Sequence, residues 1–376
     1  MNFPKKLQQK LTNRSLNNSL RSLDKPLDLI DFYSNDYLGF AKSQSIFNRT
    51  HQFLMENNIQ TNGATGSRLI SGNHELYENT ESCIADFHIV EKALLYNSGY
   101  DANIGFFSSV PQRGDIILYD ELSHASIRDG VLLSNAKSYK FHHNDYTHLE
   151  ELLKRFKETC LATDNEIYVV TESVFSMDGD SPDVSRILQI TNNYKARLIV
   201  DEAHALGVFG EKGAGLVTSP IFARIVTFGK ALGCHGAAIL GSNELYKYLI
   251  NFSRSFIYTT GLSPHAIANI KIAYEHLDAK AIHLLHHNIT FFLHEIDRLR
   301  LSEKFIRSTS SIHCCLISGN KKTKEIAHKI QNKGFNIKPI LSPTVQEGKE
   351  RLRFCLHSYN SEQEITAILE QLATFV

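Results

Sequence analysis

Leu198–His204 reads LIVDEAH, and Ile225–Gly236 reads IVTFGKALGCHG. Each is a short apolar run that stops abruptly, the first on Asp201, the second on Gly229–Lys230. Short apolar, β-branched runs bounded by glycine or charge read as buried strands. Working outward, the same pattern recurs at Ala93–Asn97, Asp115–Tyr119, Ile167–Glu172 and Ala237–Gly241, with amphipathic stretches such as Thr147–Phe156 and Asp183–Tyr194 between. Strands alternating with helices predict βαβ units: an α/β fold with a mostly parallel central sheet flanked by helices. Ligands in such sheets lie beyond the carboxyl ends of the strands, which is where Asp201 and Lys230 fall.

Toward the N-terminus, a helix rich in Lys, Asn and Leu leads into an extended arm ending at Ser34–Gly39. After Ser263–Pro264 the pattern changes: helical segments run to about Arg300. Strand-like runs follow at Ile312–Ile317, Phe335–Ile340 and Arg351–Leu356, with helices at Lys321–Lys333 and Ser361–Thr374. The expected division is an N-terminal helix and arm (1–45), a large domain (46–270) and a smaller α+β C-terminal domain (271–376).

Lysine plus arginine equals aspartate plus glutamate at 40 each, so no net field draws the 376-residue chain to nucleic acid or an anionic membrane. No segment approaches the ~18 apolar residues of a membrane span, and the N-terminus lacks a signal-peptide core. Six scattered cysteines with no CxxC pair argue against a disulfide framework or a zinc site. The expectation is a cytoplasmic enzyme with no metal. Adjacent Cys314 and Cys315 read as strand core, and His142, His143, His286 and His287 as structural pairs.

Three segments carry the chemistry. An acid at a strand end is usually a cap or an ion-pair partner, and LIVDEA also resembles the acidic strand of a nucleotide hydrolase. The chain holds no GxxxxGK[ST] loop, so that reading fails. Lys230 is unusual, because lysine is nearly always solvated. Small neighbours leave room for a ring to approach its amine, and desolvation makes the amine more nucleophilic, as Schiff-base formation requires. Asn97–Asn103 (NSGYDAN) stands at a strand-to-helix junction, where the N–H groups of Gly99 and Tyr100 suit a phosphate. An amine, a carboxylate and an anion cradle together fit an aldehyde cofactor with a phosphate and a pyridine nitrogen, pyridoxal 5'-phosphate (PLP).

Six segments in one order strengthen this reading: SNDYLG (Ser34–Gly39), GATGSRLISG (Gly63–Gly72), DELSHASIRDG (Asp120–Gly130), TESVFSMDGD (Thr171–Asp180), VDEAHALGVFGEKGAG (Val200–Gly215) and VTFGKALG (Val226–Gly233). The set resembles the α-oxoamine synthases, within the fold-type I PLP enzymes, over nearly the whole chain. The resemblance implies that Lys230 bonds the cofactor and shuttles the substrate's α-proton, and that Asp201 pairs with the pyridine nitrogen. It places His204 and Ser176 at the phenolic oxygen and stacks His124 on the ring. Gly99, Tyr100 and Thr227 would hold the phosphate, helped by Thr259 or Thr260 of the partner subunit in a homodimer. Arg353 would bind the amino-acid carboxylate. His124 also has a plain reading as a helix cap, and Arg351 and Arg353 as a solvated strand face.

The implied reaction is decarboxylative condensation of an amino acid with an acyl-CoA or an acyl carrier-protein thioester. HNDYTHL (His143–Leu149), SPTVQEGKERLR (Ser342–Arg353) and the gap-free N-terminal helix resemble the member that joins L-alanine to a pimeloyl thioester on the way to biotin. By that resemblance Arg21 and Thr344 touch substrate. Two features depart: Arg68 in the glycine-rich segment, and an ESVFSMDGD run that is also close to enzymes that use serine and palmitoyl-CoA. Glycine with acetyl-CoA stays open as well. An aminotransferase of the same fold would share the lysine and aspartate, but SMDGD and the histidine at position 124 argue against it.

Overall fold

The structure, a computed structural model, describes residues 3–23 and 28–376; residues 24–27 of the expected arm, and the first two residues, lie outside that range. The chain forms two compact units. One comprises Met1–Asn35, Ser176–Asp180 and His283–Val376, the other Asp36–Phe175 and Ser181–Ile282.

The larger unit is built on a seven-stranded sheet. Its strands are β1 (Lys92–Tyr96), β2 (Ile116–Asp120), β3 (Lys137–Phe141), β4 (Ile167–Glu172), β5 (Arg197–Asp201), β6 (Ala223–Thr227) and β7 (Ala237–Gly241), in the spatial order β1-β7-β6-β5-β4-β2-β3. Only β7 runs against the direction of the other six strands; the sheet is mostly parallel, and the fold is α/β. Successive side chains feed opposite faces. Ile117, Val170 and Ile199 pack with Phe106 and Ile127 on one side, while Leu118, Val169 and Val200 pack with Leu149 and Ile187 on the other. Burial on both faces explains why these strands read as continuous apolar runs.

The edge strand β3, KSYKF, was not legible in the sequence. Most of it is exposed and lysine-bearing, the composition that blunts an open sheet edge. Helix Gln44–Glu56 was also missed. Helix Pro264–Glu275 belongs wholly to the larger unit, so the division between units falls at 282/283 rather than at 270/271.

In the smaller unit, strands Lys338–Ile340, Arg351–Cys355 and Ile312–Leu316 form an antiparallel sheet in that order. Helices Asn320–Gln331 and Glu362–Ala373 belong to it, the latter started by a Ser361/Glu364 capping box. The N-terminal arm is part of this unit: Ile30–Asp31 pairs in parallel with Phe335–Asn336, and Cys355 N–H donates to Phe32 O at 2.8 Å. Cys314 and Cys315 are fully buried, and all six cysteines are free thiols. No helix among the described residues is long and apolar enough to cross a membrane.

Candidate active site

Strands β1, β2, β4, β5 and β6 run in one direction, so their carboxyl ends share one sheet edge, and each delivers a polar group just past it. From β6 comes Lys230, half-buried, its Nζ 2.8 Å from His204 Nε2. From β5 come Asp201 and His204, both buried. His204 Nδ1 lies 2.7 Å from the Tyr37 hydroxyl, so both ring nitrogens are engaged and the imidazole is fixed against the lysine. Gly207 keeps this turn compact: it adopts φ +77°, and a Cβ there would press to 2.6 Å from Ala231.

Asp201 receives Asn103 Nδ2 at 2.8 Å and Ala203 N–H at 2.9 Å. Beside it in register stands Glu172, at the end of β4, which accepts His124 N–H at 2.6 Å. Burial and the Asp201 charge push the Glu172 carboxyl up to about 8, against the pull of His124 N–H and Lys230. His124 is the N-cap of helix Ala125–Leu133, receiving Ser126 N–H at Nδ1. The plain reading of His124 as a cap therefore holds, and capping through Nδ1 leaves the ring faces uncommitted.

Beyond β1, Ser98 caps helix Gly99–Ser109 by accepting Asp101 N–H. The N–H groups of Gly99 and Tyr100 precede the first intrahelical bond and stand at the positive end of the helix dipole. Thr227 adjoins them: a Cβ on Gly99 would be 3.5 Å from its side chain. The Tyr100 hydroxyl turns away to Asp129, leaving the backbone N–H as that residue's contribution. Asn97 Nδ2 donates to Thr259 Oγ1 (3.0 Å) and Thr260 O (2.8 Å) of its own chain. Both threonines therefore lie against Asn97, two residues before this helix.

Other expected residues gather on the smaller unit. Arg353 Nε donates to Ser176 O at 2.7 Å and Nη2 to Asn35 Oδ1 at 3.1 Å; Arg351 is ion-paired with Asp178. Both arginines are buried, so the solvated-face reading fails. Arg21 and Thr344, 323 residues apart in sequence, meet at 3.2 Å. Arg68, in contrast, is structural: its guanidinium pairs with buried Glu81 and lies 3.9 Å over the Tyr77 ring, anchoring the glycine-rich segment. His143 bonds Asp120 and meets Phe175 edge-on. Among the described residues no group of His, Cys, Asp and Glu is arranged to hold a metal.

Asn103, Ser126, Glu172 and Tyr37 were not anticipated. Glu172 carried the same signal as Asp201, an acid closing an apolar strand. Asn103 closes the NSGYDAN segment and lies on the buried face of its helix.

The family model for aminotransferase class I and II matches residues 28–372. An 8-amino-7-oxononanoate synthase of Emericella nidulans is 37% identical over 93% of this chain and 90% of its own length. A putative 8-amino-7-oxononanoate synthase of Methanococcus vannielii is 36% identical over 98% of both chains. The chain belongs to this family, among the α-oxoamine synthases. A solved 8-amino-7-oxononanoate synthase of Francisella tularensis superimposes with a TM-score of 0.75 at 27% identity, covering 92% of this chain and 97% of that one. Sphingomonas wittichii serine palmitoyltransferase superimposes with a TM-score of 0.88 at 24% identity, covering 100% and 98%, a likeness of fold. The protein is a fold-type I, PLP-dependent acyltransferase.

The residues present fit that cofactor. They offer one amine, a buried carboxylate for a ring nitrogen, a helix start with an adjacent hydroxyl for a phosphate, and an imidazole with free faces. In addition, Asn103 Oδ1 is a buried acceptor that finds no donor among the described residues.

Proposed function

We propose that this α-oxoamine synthase condenses L-alanine with a pimeloyl thioester, on coenzyme A or a carrier protein, to 8-amino-7-oxononanoate, releasing the thiol and carbon dioxide. The curated names of relatives at 36–38% identity support the choice of substrates. The observation that carries it is the Arg21–Thr344 pair. A pimeloyl chain ends in a carboxylate, which a guanidinium matches with charge-assisted hydrogen bonds; a palmitoyl chain has no such group.

Lys230, Asp201, His204, His124, Gly99, Tyr100 and Thr227, with Ser176, would hold PLP; when bound, it supplies an electron sink for negative charge at the substrate Cα. The remaining work belongs to the chain. Lys230 Nζ takes the Cα proton and is kept on line by His204, which Tyr37 holds in turn. Asp201, buried at the end of β5, would stand against the ring nitrogen and favour its protonated form. Arg353 takes the amino-acid carboxylate with its planar fork, an interaction worth roughly 1.5–3 kcal/mol. Holding the breaking Cα bond in one orientation is an entropic advantage that a rigid strand-end site provides. A twofold homodimer, the commonest closed assembly, is part of the same proposal.

Thiol release by the purified protein, assayed across alanine, serine and glycine with pimeloyl-, palmitoyl- and acetyl-CoA, tests the reading. Alanine with pimeloyl-CoA is expected to turn over fastest. Turnover with serine and palmitoyl-CoA but none with alanine and pimeloyl-CoA would overturn it.

A further inference from the structure

Hydrogen-bond polarity around His124 is decided by donors that cannot accept. The backbone N–H of Ser126 points at His124 Nδ1, 3.2 Å away. An N–H can only donate, so Nδ1 holds a lone pair and no proton. Ser126 Oγ lies 2.8 Å from the same Nδ1 and must also donate to it. That hydroxyl oxygen is then free to accept, and it lies 3.0 Å from Asn103 Nδ2. The same amide nitrogen donates to Asp201 Oδ2 at 2.8 Å. Turned over, the amide would set its oxygen against a carboxylate and a hydroxyl whose proton is already spent, so only one orientation works. The chain from Asp201 through Asn103 and Ser126 to His124 therefore has one direction. It leaves the proton of a neutral imidazole on Nε2.

We infer that Asn103 and Ser126 are positioning residues that hold His124 as the neutral, Nε2-protonated imidazole and tie it to Asp201. The residue that would meet the cofactor's nitrogen and the residue that would lie against its face are then set by one connected chain, an inference that rests on the proposed cofactor site. The inference stands whichever amino acid or thioester the enzyme takes. The charged neighbours are consistent with it. Desolvation lowers the His124 pKa; Asp201 opposes this, Lys230 and Arg128 add to it, and Asp129 opposes it more weakly. Glu172 meets His124 only at its backbone N–H.

Diethyl pyrocarbonate acylates neutral imidazoles, so its rate against pH reports the titration of each histidine. Full-length protein freed of PLP, labelled between about pH 5 and 8 and read by mass spectrometry of the His124 peptide, gives a residue-specific midpoint. His124 still reaches solvent in this structure. The wild-type midpoint is expected below the ordinary 6.5. Ser126→Ala should raise it by about 0.5–1 pH unit, because a donor to the unprotonated nitrogen is lost. Asn103→Ala should raise it less, and Ser126→Thr should restore it. Exposed His287 serves as the internal standard, and its midpoint should not move. If Ser126→Ala fails to fold, Asn103→Ala reads the same midpoint with the hydroxyl in place. An unshifted midpoint in both alanine variants, or a wild-type value at or above 6.5, overturns the inference.

Discussion

Asp201 and Glu202 are consecutive residues at the end of one strand, and the surroundings of the two carboxylates differ in kind. Glu202 is completely buried and saturated: Arg224 Nε donates at 2.7 Å, Leu216 N–H at 2.6 Å and Val217 N–H at 3.0 Å. Gly215 (φ +109°) passes so close that a Cβ would come within 2.6 Å of Glu202 Oε1. Asp201 is nearly as buried, but an amide and one backbone N–H hold it, and Glu172 stands beside it. A carboxylate given an arginine is finished as a structural element. A carboxylate oriented by a neutral amide keeps its charge available for a cation that arrives later. On the proposed function, the contrast would separate stability from chemistry across one peptide bond.

Asp201→Asn tests this most severely. The substitution keeps the volume and removes the charge, so turnover should fall on the order of 10³-fold, about 4 kcal/mol of transition-state stabilisation. The denaturant midpoint of the same protein should stay close to wild type. A loss of stability matching the loss of activity would show that Asp201 is structural after all.

Arg224→Met probes the other side. Removing one partner of a buried ion pair typically costs 3–5 kcal/mol, because the remaining charge is left uncompensated. Burial already pulls the Glu202 carboxyl above its ordinary value, against Arg224 and the two backbone N–H groups. Without the arginine it should take up a proton instead. Urea unfolding at 25 °C reads the loss, and turnover per folded molecule should stay within a few-fold of wild type. A loss of turnover at unchanged stability would erase the distinction between the two carboxylates.

What the sequence disclosed follows the same line. Apolar strands buried on both faces are visible as runs, so β4 and β7 were placed residue for residue, and the acid that ends β5 and the lysine three residues past β6 stood out against them. β3 was invisible because an edge strand protected by lysines has no apolar run to find. Asn103 and Ser126 were passed over because their importance lies in what they touch 98 and 23 residues away, which no local pattern encodes. Arg68 and Arg353 are the same residue type in different company: Arg68 pairs with a buried glutamate, while Arg353 donates to a backbone carbonyl and an asparagine, and the substrate role proposed for Arg353 rests on the resemblance.

Glu172 lies between the two extremes, and its effect is the most dependent on conditions. It is as buried as Glu202, has no arginine, and is expected to hold its proton at neutral pH. Its carboxyl titrates near 8 in the folded protein against an ordinary 4.5. Between those values the native state keeps a proton that the unfolded chain has released. Its contribution to stability is therefore complete below about pH 4.5 and is lost as pH rises toward 8, with a slope of up to about 1.4 kcal/mol per unit. His124 has the opposite sign: its lowered pKa adds stability as pH climbs toward 6.5. Glutamine at 172 is neutral at every pH and retains an oxygen for His124 N–H. The difference in unfolding free energy between wild type and Glu172→Gln, measured on cofactor-free protein from pH 5 to 8, cancels the histidine contribution. It should move steadily in favour of the glutamine variant as pH rises. A difference that stays flat would mean that Glu172 and Asp201 are both ionised side by side, and that the charge at the strand ends is balanced by something other than a retained proton.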